Sequence, residues 1–475
     1  MNRWRQVDPL MLDQGEKVLR ALLDGGYQAF FVGGCVRDEL MGRPVHDMDI
    51  ATSAKPEEVI SLFDRTVPTG IQHGTVTVLM EPYAFEVTTF RKESRYEDHR
   101  RPVSVEFVDA VKEDLQRRDF TMNAIARGIE GELTDPFMGR SDIGRGLIRC
   151  VGVAEERFEE DALRMMRAIR FAAAFGFRPV KSLWKALLRG RDKLAYIATE
   201  RVRMELEKIV LGADPLRGLA LLERSGLLRY AKAAQELPEP QEESGPRVAA
   251  GDAPLGAGAP AASGHSAEAA LMRRLLQRAP RRDLLAALPL LPAEPSALRW
   301  SLLLQGLGAP GEGAAPLLKS WTFPNQTAQE AAGIVRFDEA WQAAQAEALG
   351  KPQLRRGWIG LQVAFGRQTA ALWLLRQRAM LQTAALGVAQ REAALSLLEL
   401  AAGWHREVPL HTLPELAVNG GEVLQITGRK GGPWLGELMK ELLLAVAVGE
   451  LPNERQVLLD HVEAMVKEDG SKPID

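Results

Sequence analysis

The feature that most constrains the fold is a change of hydrophobic period near Cys150. Before it, apolar residues recur at every second position in "GTVTVLM" and "AFEVTTF", the period of half-buried strands, and "QAFFVGG" and "VSVEFVDA" read as further strands. From residue 155 onward the spacing is helical, and strand patterns almost vanish. With 475 residues the chain is too long for one ordinary domain. We therefore expect an α/β domain with a mixed sheet over residues 1–150, followed by an all-α region. Helices are predicted over 10–24, with Leu10, Val18, Leu19, Leu22 and Leu23 as the apolar set, and over "SAKPEEVISLF" with Ser53 before its first turn. The stretch 236–267 is rich in Pro, Gly, Ala and Glu and has almost no large apolar residue. It is expected to be a disordered insertion, and 305–316, "QGLGAPGEGAAP", a shorter loop of the same kind.

Composition narrows the class. The net charge of −3 excludes a chain that is basic throughout, but arginines cluster at 117–118 and at 164, 167, 170 and 178. Clustering matters more than the sum for a nucleic-acid partner. No apolar run approaches the ~18–20 residues of a membrane span, and the N-terminus lacks the apolar core of a signal peptide. The two cysteines, Cys35 and Cys150, have no metal-ligand spacing. A reduced, cytoplasmic protein without a membrane partner is expected.

The chemistry concentrates in "FFVGGCVRD" and "HDMDI". On a strand, Asp47 and Asp49 share one face, while Met48 and Ile50 share the other. Two acids on one face repel unless a positive group sits between them, and divalent cations do so in two-metal sites. Gly33 and Gly34 bring backbone N–H groups to a helix start, where phosphate oxygens are favoured. Arg37 follows one turn later and can add a phosphate contact. Glu86, on a neighbouring strand, is either a third acid or an exposed strand residue. At about 100° per residue, Leu163, Met165, Met166 and Ile169 occupy one arc of a helix. Asp161, Arg164, Arg167 and Arg170 spread over the other, where steps of three drift by about 60°, so the arginines cannot all face one atom.

Four stretches, "FFVGGCVRDELMGRPVHDMDIAT", "FEVTTFRKESRYEDHRRPVSVEFV", "EDLQRRDFTMNAIA" and "VGVAEERFEEDALRMMRAIRFAAAFGF", resemble successive motifs of the class II tRNA nucleotidyltransferases and their poly(A) polymerase relatives. The end of the chain, "GRKGGPWLGELMKELLLAVAVGELPNERQVLLDHV", is similar to the tail of Gram-positive-type members. The resemblance implies addition of C, C and A to the tRNA 3′ end from CTP and ATP, without a template and with Mg²⁺. It places the metal on Asp47 and Asp49, and nucleotide contacts on Gly34, Arg37, Arg118, Arg167 and Arg170. Asp119 and Asn123 would hold the sugar or the local turn. Base choice would fall to Asp161 and Arg164 of the "ED--R" motif. A carboxylate accepts from the exocyclic amino group that C and A carry on the Watson–Crick edge and a guanidinium donates to the neighbouring acceptor, whereas U and G present a carbonyl and N–H there instead.

The implied division is a palm-like nucleotidyltransferase head (1–150), a neck with the nucleotide-selecting helix (151–215), a body (216–340) and a tRNA-binding tail (341–475). Body and tail would grip the acceptor and T arms of tRNA, with Arg429 and Lys430 as candidates. The segment 91–107, with Asp98, Arg100 and Arg101, matches a flexible loop that CC-only members lack. An A-adding enzyme or a poly(A) polymerase uses the same motifs, and an inactive RNA-binding module is the reading from another class. No "HD" dipeptide follows residue 47, so phosphohydrolase activity is not expected. The oligomeric state stays open, a homodimer included.

Overall fold

Asp8 opens the first helix, α1 (Pro9–Asp24), by accepting from the backbone N–H groups of Leu10 and Met11 at 3.0 and 3.1 Å. The computed structural model describes residues 4–97, 101–232 and 284–468, which divide between two units, 1–270 and 271–475. The insertion 236–267, together with Asp98 and Arg100, lies outside the described residues. In α1 the buried stripe is Met11, Gly15, Val18, Leu19 and Leu22. Leu10 lies roughly 120° around the helix from that stripe and is 49% exposed, contrary to its predicted place in the apolar set.

The first unit carries a mixed seven-stranded sheet. Its strands are β1 (Ala29–Val32), β2 (Asp49–Thr52), β3 (Thr66–Gly70), β4 (Thr75–Met80), β5 (Tyr83–Thr89), β8 (Ala126–Arg127) and β9 (Leu133–Thr134), ordered β3-β4-β5-β2-β1-β8-β9. β2 and β5 run parallel, and the other pairs are antiparallel. A separate two-stranded ribbon, β6 (Arg91–Glu97) and β7 (Arg101–Phe107), occupies the segment expected to be a loop. Between β1 and β2 lies α2 (Gly34–Leu40), and α3 (Pro56–Leu62) follows β2. Lys55, not Ser53, caps α3: the Glu58 carboxylate accepts from Lys55 N at 2.7 Å, while Ser53 Oγ is drawn off to accept from Gln28 N at 2.9 Å. A core of Phe31, Met48, Ile50, Val76, Val78, Phe85 and Val87 packs with α1 on one face of the sheet.

After α4 (Val111–Gln116) and α5 (Gly139–Gly144), the first unit turns helical, as the change of period predicts. It continues through α6 (Ala154–Glu160), α7 (Leu163–Phe175), α8 (Lys181–Gly190), α9 (Thr199–Val210) and α10 (Pro215–Ser225). α7 is buried almost all round, including Arg164, so its arginine arc is no solvated face. Asp161 is not on this helix. Its extended backbone (φ −144, ψ 104) marks the break between α6 and α7.

The second unit is helical throughout its described residues. Residues 305–316 are not a loop: helix Ser296–Leu307 ends at left-handed Gly308, and helix Gly311–Ser320 begins three residues later. The small residues serve close packing here; a Cβ on Gly311 would lie 2.3 Å from Arg336 Cγ. Trp341, Trp358, Trp373 and Phe337 cluster in edge-to-face and tilted pairs, with Trp341 and Trp358 centroids 5.2 Å apart. Beside them, buried Asp338 accepts from Trp373 Nε1, Gln305, Gln342 and Gln377 at 2.6–2.7 Å and faces fully buried Arg376 at 3.1 Å. Among the described residues no helix is long and apolar enough to cross a membrane. Asp338→Ala should cost about 3–5 kcal/mol in urea unfolding, because it strands a buried guanidinium. A loss below about 1 kcal/mol would contradict that role.

Candidate active site

β2 begins at Asp49, so Asp47 precedes the strand, yet the alternation survives. Met48 and Ile50 are buried, Asp47 is exposed and Asp49 is half-buried. In the parallel register Ile50 faces Val87, which brings Glu86 level with Asp49. The electrostatics register this meeting. Burial, then the charges of Asp47 and Glu86, push the Asp49 carboxyl up to about 6, and only the Arg118 guanidinium opposes them. These are hard oxygen donors under mutual repulsion, and their chemistry fits a divalent cation such as Mg²⁺. Among the described residues no group of three or more His, Cys, Asp or Glu is gathered closely enough to cage an ion. A pair of carboxylates suffices where substrate phosphates and water complete the shell.

Gly33 supplies the turn from β1 into α2 at φ +75, a left-handed conformation that glycine adopts without strain. A Cβ there would lie 2.9 Å from Arg118 Nη1 and 4.0 Å from Asp49 Oδ2, so the turn, the arginine and the acid share one small space. Arg118 is steered by Asp114 at 3.2 Å, and its Nε is buried with no hydrogen-bond partner among the described residues. Burial alone would raise the Asp114 carboxyl, but Arg118 and Arg117 together hold it below its ordinary value. Arg37 is mostly buried. It donates to Asn123 Oδ1 at 2.7 Å, pairs with Asp38 at 2.8 Å and lies 4.8 and 5.3 Å from the ring centres of Phe175 and Phe171.

Asp119 joins this cradle to α7. It accepts from Phe120 N, Asn123 Nδ2 and Arg167 Nε at 2.8, 2.9 and 2.7 Å. Burial works against its charge, but Arg167, Asn123 and Arg164 hold the carboxyl down at about 2. Arg164 donates to Glu160 at 2.5 Å and to the Arg117 carbonyl at 3.0 Å, beside Arg118. Arg170 donates to Glu205 at 2.6 Å, and Asp161 accepts from Arg201 at 2.9 Å. The predicted residues therefore form two neighbouring groups, Asp47, Asp49, Glu86, Gly34 and Arg118 on the sheet side and Asp161, Arg164, Arg167 and Arg170 on the helical side, while Arg37 lies on Asn123 and the α7 rings Phe171 and Phe175.

The chain's family follows from comparison with known proteins. Residues 29–149 match the family model for the poly A polymerase head domain, and 292–462 that for tRNA nucleotidyltransferase domain 2. The CCA-adding enzyme of Lactiplantibacillus plantarum is 36% identical over 453 residues, covering 95% of this chain and 96% of that one. The chain belongs to the CCA-adding enzymes, a family of tRNA nucleotidyltransferases. The Geobacillus stearothermophilus CCA-adding enzyme is 37% identical over 446 residues, covering 92% of this chain and 93% of its own. A crystal structure of the Bacillus stearothermophilus CCA-adding enzyme in complex with CTP superposes with TM-score 0.74 at 33% identity, covering 98% and 100% of the two chains. The Thermotoga maritima CCA-adding enzyme complexed with tRNA, at 18% identity and TM-score 0.58, shares the fold.

Within this family framework, Asp114, Arg201 and Glu205 were not singled out from the sequence. Asp114 had a local signal, standing four residues before Arg118. Arg201 and Glu205 had none, because their partners lie 40 and 35 residues away in the chain. Asp119→Asn should lose about 2 kcal/mol of stability at pH 7. A carboxyl held at about 2 rather than its ordinary 3.8 stabilises the fold above the higher value and ceases to do so as pH falls through the lower. Urea unfolding should show the deficit reduced to roughly half at pH 3; an equal deficit at both pH values would contradict the ion-pair account.

Proposed function

We propose that this chain adds CCA to the 3′ end of tRNA from CTP and ATP by template-independent nucleotidyl transfer. The observation that carries the reading is the continuity of the two groups. Arg164 is hydrogen-bonded to the carbonyl of Arg117, and the next residue, Arg118, reaches across Gly33 toward Asp49. A triphosphate near Gly34, Arg37 and Arg118 thus has its sugar and base on the side of α7.

In this reading Asp47 and Asp49 hold Mg²⁺, and Glu86 adds negative charge beside them. When bound, the cations lower the pKa of the attacking hydroxyl and neutralise charge on the departing pyrophosphate. Gly33 and Gly34 admit the phosphates close to backbone N–H groups, and Arg37 and Arg118 supply fixed positive charge. The buried Nε of Arg118, lacking a hydrogen-bond partner among the described residues, is a donor that a phosphate oxygen would satisfy. Asp161 accepts from the amino group of C or A, and Arg164 donates to the adjacent ring acceptor. UTP or GTP would leave those polar groups mismatched in a site with little water to compensate. Arg167 and Arg170 hold the helix and meet nucleotide or the tRNA end. The assignment of head (1–150), neck (151–215), body (216–340) and tail (341–475), with tRNA arms gripped by body and tail, belongs to the same proposal, as does action in the cytoplasm.

The test is to incubate the protein and Mg²⁺ with tRNAs ending at the discriminator base or after CC, supply CTP, ATP or both, and sequence the 3′ ends. CCA on the first substrate supports the proposal. Addition of A to the second with nothing added to the first, long A tails, or tRNA binding without product would each overturn it. Asp49→Ala should abolish transfer with tRNA affinity kept, as read by filter binding; normal turnover would refute the metal assignment. Arg164→Ala should slow addition and weaken the preference for CTP over UTP, and an unchanged preference in competition assays would place base reading elsewhere.

A further inference from the structure

Four arginines of the site already hold an acid: Arg118 with Asp114, Arg167 with Asp119, Arg170 with Glu205 and Arg37 with Asp38. Arg43 is different. It is exposed, and among the described residues no carboxylate lies within ion-pair distance of it. What orients its guanidinium is the ring of Phe175, with the centroid 5.1 Å away, and Arg37 lies 4.8 Å from the same centroid. A ring face attracts a cation without neutralising it, so Arg43 keeps its charge available to an anion. The backbone fixes its place. Arg43 N donates to the Asp38 carbonyl at 2.8 Å, closing the turn after α2 through left-handed Gly42.

The rings form a row. Phe171 and Phe175 are stacked with centroids 5.4 Å apart, and Phe177 follows Phe175 at 5.7 Å. At the far end, β10 (Leu147–Ile148) and β11 (Arg178–Pro179) pair in parallel, and Arg178 N donates to the Gly146 carbonyl at 2.8 Å. Arg145 and Arg178, brought together by that bond, are likewise exposed and without a carboxylate at ion-pair distance among the described residues. Cations thus continue along the rings from the paired Arg37 to the unpaired Arg43, Arg145 and Arg178. The dipole of α7, which ends at Gly176, favours positive charge nearby. It does not explain why no acid offsets any of the three.

The sheet order supplies a direction. Asp49 opens β2, which lies between β5 and β1, and Gly34 and Arg37 follow β1. In nucleotidyl transfer the attacking oxygen and the departing pyrophosphate lie in line on opposite sides of the α-phosphate. With the outer phosphates at Gly34 and Arg37, the departing group faces α2 and the row of rings, and the attacking hydroxyl comes from the β5 side. We propose that Arg43, with Arg145 and Arg178 beyond it, is a binding site for inorganic pyrophosphate leaving the cleft: the diphosphate passes from Arg37 to the unpaired guanidinium that shares Phe175. The inference rests on the reading of Gly34 and Arg37 as the phosphate cradle. The paired arginines keep the reacting phosphates in place, and the unpaired ones draw the product away.

The experiment measures inhibition of nucleotide addition by inorganic pyrophosphate, with KM for CTP, Kd for tRNA and thermal unfolding, in the full-length parent, Arg43→Ala, Arg43→Lys and the double variant Arg145→Ala with Arg178→Ala. Arg43→Ala should raise the inhibition constant of pyrophosphate about tenfold, well beyond any rise in KM for CTP, as loss of one charge-assisted contact does. Arg43→Lys should recover part of that, since charge returns without the flat face, and the double variant should raise the constant by a smaller factor. A parental inhibition constant in Arg43→Ala, with or without a shift in unfolding, would overturn the proposal. Equal rises in the inhibition constant and in KM would place Arg43 on the triphosphate before transfer, and a weakened Kd for tRNA with a parental inhibition constant would place it on RNA; either outcome overturns the exit site. Calorimetric titration of inorganic pyrophosphate into the parent and Arg43→Ala reads the site without turnover. A parent that transfers no nucleotide would therefore sink the reading of function, while equal pyrophosphate affinity in the two proteins would sink this inference.

Discussion

The ion pair between buried Asp119 and half-buried Arg167, 2.7 Å long, is the interaction on which the rest of the site depends. Asp119 also accepts from Asn123, and Asn123 in turn accepts from Arg37. Arg167 lies near Glu205, which holds Arg170. One buried carboxylate thus connects the helix after the Gly-Gly turn with the first half of α7. A charge in such a place is costly unless it is paired and hydrogen-bonded, and Asp119 accepts from three donors, one of them the Arg167 guanidinium. That requirement allows few arrangements of the surrounding chain, which is what a site with sub-ångström demands needs.

The sheet-side acids follow the opposite logic. Burial and the charges of Asp47 and Glu86 push the Asp49 carboxyl up against the pull of Arg118. Folding energy from the core beneath them, where Met48, Ile50, Phe85 and Val87 are buried, tolerates this local penalty. Repulsion of this kind is what a bound cation relieves. The helical side is satisfied before any ligand arrives, whereas the sheet side is not.

Period and motif carried much of this architecture. The two-residue period before Cys150 and the helical period after it correspond to the mixed sheet and the helices that follow. The face sharing of Asp47 and Asp49 was legible because Met48 and Ile50 are apolar. What was hidden depended on tertiary partners. Arg164 reads as part of a basic face, yet Glu160 and the Arg117 carbonyl draw it into the interior. Asp161 fits a helical wheel on paper, but the chain breaks there. Ser53 looks like a cap and instead bonds the neighbouring strand end. Residues 305–316 read as a linker because glycine and alanine lower apparent hydrophobicity, although small size is what lets those helices approach.

The proposed chemistry makes two demands: Asp47, just before β2, and Asp49, at its start, must bind divalent ions for bond formation, and the segment around Asp161 must stand where a template strand would. Crystals of the full chain grown with Mg²⁺ and a non-hydrolysable CTP analogue test it most directly. The account predicts cation density shared by Asp47 and Asp49, with the cytosine amino group within hydrogen-bond distance of Asp161 and its ring acceptor on Arg164. Cation density away from those acids, or a cytosine lying clear of Asp161 and Arg164, would contradict it.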